Sequence, residues 1–456
     1  MLTRREAIRS VVLAGFTQAA MLRALAQSTR IPRAFRAMSG ATGKPHAELA
    51  REIIADATLS KVHSMAQNLL KGGLNAGTGY LTTWIRDMNT FIEVAIQVNP
   101  PQRFREALLL FLKFQKENGD VPDLYIARDP AKIKPSDRTS LLAPGYIADK
   151  NTVETDQESS LVQAFFKYVT AAKDDTILQE SIAGVTVKER LGLAMQYVLN
   201  ERFDPGHGLV WGGTTIDWGD VQPEGPRGTV LDSGSHRALS IYDNAMLVIA
   251  MNDYLQLLGD SAPEAAHWRV TRDKLRKNIR KHLWDANRKK FIPHVYLAGP
   301  PFPADFDENA IYYHGGTAVA IEAGLLSREE VAHALARMEE DVRLAGASSI
   351  GMTIYPPYPL GFFRNPQLTV PYTYQNGGDW CWFGGRMIQQ LVKYNRIEDA
   401  YRNLQPMVER VVRVGDFHEW WTRDNQPRGS AQFRGSAGAL GKAIEMLQSW
   451  ARQNIA

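Results

Sequence analysis

The stretch "TTWIRDMNTFIEVA", Thr82–Ala95, decides how the rest of the chain is read. From Trp84 onward the apolar residues Ile85, Met88, Phe91, Ile92 and Ala95 recur at helical spacing. That is the pattern of a helix with one face toward a core. Its first turn carries Arg86 and Asp87 beside a tryptophan. An aspartate meets the positive end of the helix dipole there, whereas an arginine gains nothing from it. Two explanations fit: an ion pair that ties down the helix start, or a Trp-x-Arg-Asp face turned toward a polyhydroxylated ligand.

The same periodicity dominates the chain on both sides. Helical windows run over 45–70, 84–98, 101–115, 158–172, 187–201, 240–258, 264–283, 316–323, 328–342, 384–393, 397–414 and 436–449. Short β-like pieces such as "KKFIPHVYLA" occur only between them, and no strand–helix alternation points to a parallel sheet. Short connections alternate with long ones rich in Trp, Asp, Gly and Pro: "ENGDVPDLY", "IADKNTVETDQES", "GLVWGGTTIDWGDVQPEGPRG", "YPPYPLGFFRNPQLTVPYTYQNGGDW" and "GDFHEWWTRDNQPRGSAQFRG". Long loops in a compact domain are usually functional. Helical hairpins closing into a toroid, with the elaborate loops on one face, give this alternation. The fold class expected is all-α, a single (α/α)6 barrel over residues 45–456. An open solenoid lacks the fixed-period repeat it needs.

Composition narrows the function. The chain has 456 residues, 44% hydrophobic and 22% charged, with a net charge of +4. No Lys/Arg block carries interleaved aromatics, so nucleic acid is not an expected partner. One cysteine, Cys381, allows no intramolecular disulfide and no cysteine zinc site. Residues 1–26 pair Arg4-Arg5 with a weak apolar run and Ala24-Leu25-Ala26, the pattern of a cleaved twin-arginine signal. Residues 27–44 then read as a flexible segment. The expected mature protein is periplasmic or secreted and not membrane-bound; its oligomeric state is not legible.

The chemistry sits in the long loops, where carboxylates lie among Trp84, Trp211, Trp218, Trp380, Trp382, Trp420 and Trp421. Tryptophan faces stack on sugar rings while Asp, Arg, Gln and Asn bond the hydroxyls. Glycoside hydrolysis needs one protonated and one ionised carboxyl group. Asp217 and Asp220 in "TTIDWGD" and Glu419 in "DFHEWW" are the candidates. Ile216 and Trp218 beside Asp217 favour its protonated form by desolvation. For any single acid, a helix cap or a surface ion pair is the structural alternative. No HExxH, phosphate loop or GxSxG appears. No aspartate ladder marks calcium around Asp156 and Glu158. His207, His236, His294, His314 and His418 lack ligand spacing. Neither a metal nor a cofactor is expected.

Five segments in order, "TTWIRDMN", "VETDQESSLVQAFFKYV", "TTIDWGD" followed by "SIYDNAMLVIAM", "YTYQNGGDWCWFGGRMI" and "HEWWTRDNQPRGSAQFRGSAGAL", resemble the inverting glycosidases built on (α/α)6 barrels. The resemblance is to the amylo-α-1,6-glucosidase domain of glycogen-debranching enzymes and to neutral/alkaline invertases, trehalases and processing α-glucosidases. It implies an exo-acting, inverting hydrolase of an α-glucosidic bond in an oligosaccharide or glucoside. It places Trp84, Arg86 and Asp87 on the innermost sugar. It makes Asp217 the general acid, with Asp220 the alternative, and Glu419 the general base. It adds Asp156, Gln157, Trp218, Gln375, Asn376, Trp380 and Trp420 as substrate contacts. Arg434-Gly435 stands where that group carries an aromatic before Ser436. Two other classes remain compatible: a sugar epimerase or polysaccharide lyase using residues such as His236, His314 or His418, and a glycan-binding protein without catalysis.

Overall fold

Asp56 splits what reads as one helix over 45–70. In the computed structural model, which describes residues 46–455 apart from 130, 132, 133, 135, 226 and 227, helix α1 (His46–Ala55) stops there and α2 (Ala57–Leu70) begins. The Asp56 carboxylate accepts the N–H groups of Thr58 at 2.8 Å and Leu59 at 3.3 Å. It thereby satisfies two of the donors that a helix start leaves unpaired. The export signal and the segment 27–44 lie outside the described residues.

The remaining helices are α3 (Ile85–Ala95), α4 (Pro101–Leu112), α5 (Gln157–Ala172), α6 (Val187–Glu201), α7 (Ile241–Leu258), α8 (Ala265–His282), α9 (His314–Glu322), α10 (Arg328–Ala345), α11 (Cys381–Lys393), α12 (Ile397–Val414) and α13 (Arg434–Asn454). Helices α3, α5, α7, α9, α11 and α13 touch in that order, and α13 closes back onto α3. Helices α2, α4, α6, α8, α10 and α12 pack outside this ring, each against one or two inner helices, and α1 rests on α13. The fold is an (α/α)6 barrel. Among the described residues, strands are confined to the connections, as short pairs and two three-stranded sheets, and no helix is long and apolar enough to cross a membrane.

The inner helices are buried on every side. In α7 the whole run from Ile241 to Met251 is inaccessible, which is why that segment is apolar all round rather than along one stripe. Glycine lets the ring close. A Cβ on Gly438 of α13 would lie 2.4 Å from the Phe91 Cα of α3, and one on Gly385 of α11 would lie 2.9 Å from the Ala439 Cβ. Helices α9, α11 and α13 start two or three residues before their sequence windows, at His314, Cys381 and Arg434. Glycine weakens a helical pattern read from sequence, while here it marks the tightest packing.

The connections 71–84, 113–156, 202–240, 283–313, 346–380 and 415–433 each lead into the N-terminus of an inner helix. The connections from inner back to outer helices are shorter: 96–100, 173–186, 259–264, 323–327 and 394–396. Every long loop therefore lies at the barrel end where the inner helices begin.

Between inner helices, Arg386 of α11 donates to Glu322 of α9 from Nε at 3.0 Å and Nη2 at 2.9 Å. Burial alone would raise the Glu322 pKa. Arg386, with Lys393 and Lys167, outweighs it and holds the group down at about 2. Removing one member of such a pair strands a buried charge. In urea melts, Arg386→Ala should lose about 3–5 kcal/mol. Because the folded-state pKa lies below the ordinary 4.5, the stabilisation from Glu322 should be complete above that pH. It should fade as pH falls toward 2, and a Glu322→Gln variant should lack this part of the acid dependence.

Candidate active site

Trp84 caps α3 with extended backbone and no side-chain cap bond, so the ion pair next to it holds this helix start. Arg86 Nε donates to Asp156 Oδ2 at 2.8 Å and Nη2 to Asp156 Oδ1 at 3.0 Å. Nη2 also donates to Glu154 Oε1. The Tyr242 hydroxyl, from α7, donates to Asp156 Oδ2 at 2.8 Å. The start of α3, the start of α5 and α7 are thus joined through one guanidinium. The ion-pair explanation of Arg86 holds, and the residue also lines a pocket of about 500 Å³ at this end of the barrel.

That pocket gathers Trp84, Arg86, Asp87, Trp218, Asp220, Gln375, Trp380 and Glu419, all singled out in the sequence. Trp382 joins them, and so do Tyr80, Asp123, Tyr374 and Phe433, which the sequence reading passed over. Asp123 follows a proline in the "ENGDVPDLY" loop, and Tyr80 ends a glycine-rich turn. Nothing local distinguishes either from an ordinary loop residue.

Four expected substrate contacts are placed elsewhere. Asp156 is 0% exposed and spent on Arg86 and Tyr242. Gln157 is buried and donates to the Asn151 carbonyl at 3.2 Å. Asn376 braces its own loop, accepting from Tyr358 N–H at 2.8 Å and donating to the Tyr358 and Leu368 carbonyls at 3.1 and 3.0 Å. Trp420 packs over Gly378 and Gly429 outside the pocket lining. Two further tryptophans are structural: Trp421 is buried against Arg410, and Trp211 is sandwiched by Arg202 and Arg237.

The two aspartates of "TTIDWGD" part company. Asp217 adopts a left-handed backbone, φ 53°, and turns into the protein. Its two carboxylate oxygens accept the Gly316 N–H at 2.8 and 3.0 Å, so it caps α9 from a distant loop. A Cβ on Gly315 or Gly316 would lie 2.7 Å from those oxygens. Burial pushes the Asp217 pKa up to about 8 against the pull of the Gly316 and Gly315 N–H groups. Asp217 does not line the pocket; Asp220 does. The carboxylate of Asp220 has no hydrogen-bond partner among the described residues, while its backbone carbonyl is held by Asn151 Nδ2 at 2.8 Å.

Glu419 also lines the pocket, from the strand His418–Trp421, which pairs with Pro427–Ala431. Oε1 accepts from the Tyr80 hydroxyl at 2.8 Å and the Tyr374 hydroxyl at 3.2 Å, and Oε2 from Ser430 N–H at 2.8 Å. Burial raises its pKa, these three donors oppose that, and the charge of Asp220 adds to the rise. The strand is fixed by reciprocal backbone bonds between Trp421 and Asp379 at 2.8 and 2.9 Å. Asp379 is in turn gripped by Arg410 and Ser349, both at 2.7 Å.

The pocket wall also carries buried polar atoms with no partner among the described residues: Asp87 Oδ1, Asp123 Oδ2, Gln375 Oε1, Trp84 Nε1 and Trp218 Nε1. Buried polar atoms rarely stay unpaired in a native protein. Burial above all lifts Asp87 to about 7 and Asp123 to about 8, so both hold protons near neutrality and donate as well as accept. Donors, acceptors and aromatic faces converging in one hollow suit a hydroxyl-rich ligand. His236 pairs with Glu224 at 2.6 Å and His314 with Asp341 at 3.3 Å. These two and His418 lie outside the pocket lining. Among the described residues no group of three or more His, Cys, Asp or Glu is set to hold a metal ion.

The signature of the glycosyl hydrolase 94 superfamily catalytic domain matches residues 54–388. The chain belongs to that superfamily. This glycosyl hydrolase 94 match spans α2 to most of α11 and ends before the hairpin that carries Glu419. Solved structures share the barrel. A GH63 mannosylglycerate hydrolase from Thermus thermophilus, bound to Tris and D-glycerate, is 16% identical with a TM-score of 0.59 over 83% of this chain and 99% of its own. The same enzyme bound to glucose gives 0.58 over 85% and 99%, again at 16% identity. A rhamnosidase from Klebsiella oxytoca with rhamnose bound gives 0.55 at 15% identity over 85% and 63%. No curated protein sequence matches the chain. The superfamily makes the protein a glycosidase.

The two aspartates should separate in stability. Asp217→Ala leaves the Gly316 N–H unpaired and buried and should lose about 1–3 kcal/mol in urea melts. Asp220→Asn keeps the size of a side chain that has no hydrogen-bond partner among the described residues, so the same melts should show little change.

Proposed function

We propose that this glycosidase is an exo-acting, inverting hydrolase of an α-glucosidic bond in an oligosaccharide or glucoside, with Asp220 as general acid and Glu419 as general base. One observation carries the reading: two carboxyl groups line one pocket, one held by three donors and the other with no protein partner among the described residues. A general acid must reach the glycosidic oxygen. Asp217, the first choice from the sequence, is turned to Gly316 instead; it fixes the loop on which Asp220 sits.

In this reading the sugar enters over Trp84, Trp218 and Trp380. Its hydroxyls meet Arg86, Asp87, Asp123 and Gln375. Asp220 gives its proton to the leaving oxygen as the bond breaks. Glu419 takes a proton from the water that attacks the opposite face of the ring. Tyr80 and Tyr374 hold Glu419 in register and favour its ionised form. The α-glucosidic assignment follows the resemblance of the five segments. The relatives named for mannosylglycerate and rhamnose widen the set of sugars to test. Export through the twin-arginine signal of residues 1–26 completes the reading.

The test is product release from trehalose, sucrose, maltose, isomaltose, kojibiose, nigerose, glucosylglycerate, mannosylglycerate and an α-rhamnoside, with NMR reading the first anomer formed. β-Glucose from an α-glucoside is expected. With the best substrate, Asp220→Asn and Glu419→Gln should each lose about 10²–10⁴-fold in kcat. Asp220→Asn should recover most of its loss on α-glucosyl fluoride, whose leaving group needs no proton. Recovery on the fluoride by Asp217→Asn, and not by Asp220→Asn, would return the acid to Asp217. Retained configuration in the product would remove the single-displacement mechanism.

A further inference from the structure

The chain runs from Asp220 directly into a second hollow. Gln222 lies two residues on, within about 7 Å along the chain. With Glu224, Thr229, Val230 and Asp232 it lines a concavity of about 730 Å³. The wall is built rather than loose. Gln222 N–H donates to the Gly228 carbonyl at 3.0 Å, and Gln222 Nε2 to the Val230 carbonyl at 2.7 Å. Gly228 turns with φ 64°, and a Cβ there would lie 2.8 Å from the Gln222 carbonyl oxygen. Thr152, from the connection before α5, clamps the far side: its N–H donates to the Thr229 carbonyl at 3.1 Å and its Oγ1 accepts from Leu231 N–H at 2.8 Å.

Gln222 is only 4% exposed, yet its Oε1 has no hydrogen-bond partner among the described residues. The bond from Nε2 to Val230 fixes which end of the amide is free. Glu224 gives Oε1 to His236 at 2.6 Å and leaves Oε2 buried without a protein partner among the described residues. Asp232 adds a third acceptor edge, with Oδ1 already accepting from Gly234 N–H at 2.8 Å. The free groups of this wall are acceptors, so a ligand has to bring O–H or N–H donors. Val230, 60% exposed, offers an apolar surface beside them.

We infer that this hollow is the leaving-group subsite, where Gln222 Oε1 and Glu224 Oε2 accept hydroxyl protons from a neutral sugar or polyol. The inference rests on Asp220 being the general acid, because the leaving group departs on the side of the acid. It also sets a preference. Among the described lining residues Glu224 and Asp232 repel an anion, and His236 beside Glu224 offsets them when that ring is charged, so a glycerate leaving group is disfavoured against a neutral one.

The experiment compares kcat/KM for the neutral disaccharide that wild type cleaves fastest with kcat/KM for α-glucosyl fluoride, whose leaving group is too small to reach the hollow. For Gln222→Ala the disaccharide-to-fluoride ratio should fall about tenfold, mostly through KM. For Glu224→Gln, a partly exposed site that keeps side-chain size, the glucosylglycerate-to-disaccharide ratio should rise severalfold. Unchanged ratios in both variants, with wild type active, would overturn the subsite while leaving the hydrolase standing. Equal losses on disaccharide and fluoride would make the loop structural and overturn it too. A wild type inert on the disaccharides and on the fluoride would remove the hydrolase reading, and the subsite with it.

Discussion

Burying the Arg86 guanidinium is the constraint that organises the working end of the barrel. A charge removed from water has to be paired and hydrogen-bonded. Burial pulls the Arg86 pKa down, and Asp156 and Glu154 more than reverse it. Satisfying that one cation fixes the starts of α3 and α5, engages Tyr242 of α7, and reaches the loop of Asp217 and Asp220 through the Trp218 carbonyl at 3.4 Å. Asp87, next in sequence, is then presented to the pocket by a helix turn that cannot drift. The pair contributes little as a pairwise energy. Its effect is to make four segments agree on one geometry.

The same end of the molecule holds several acids, sorted by what surrounds them. Asp156 is consumed by a cation, Asp217 by a helix N-terminus, and Asp379 by Arg410. Glu419 is held by phenols and a backbone amide but remains in the pocket. Asp87 and Asp123 carry their protons because burial leaves them no better choice. Asp220 is left without a protein partner among the described residues. The proposed acid follows from that contrast: Asp220 lines the pocket with its carboxyl group uncommitted among the described residues.

Much of this was legible beforehand, and the misses have definite causes. Helical spacing and the alternation of short with long connections depend on local pattern, so the barrel and its loop face could be read. Trp84, Arg86, Asp87, Trp218, Trp380 and Glu419 could be singled out because unusual side chains cluster in polar loops, and Gln375 through the family resemblance of its segment; all line the pocket. Asp217 and Asp220 share that setting within four residues. What separates them is Gly316, 99 positions away, and no local signal encodes it. Asp156 and Asn376 failed for a related reason: a polar residue that supports a pocket from behind has the same composition as one that faces it.

The closure of the ring by α13 has a consequence for how the molecule comes into being. A chain emerging from the ribosome makes five inner staves before the sixth exists, and the gap lies between α3 and α11. The residue pair that shuts it, Phe91 and Gly438, is separated by almost the whole folded chain. The hairpin bearing Glu419 also waits for α13, since Ser436 Oγ anchors the His418 carbonyl at 2.9 Å. The pocket therefore comes together only with the last of the described helices, and contacts of such long sequence separation are slow to form. A nascent fragment has most of the wall and none of the completed site, so sugar is met only by a chain that has been made and folded to its final stave.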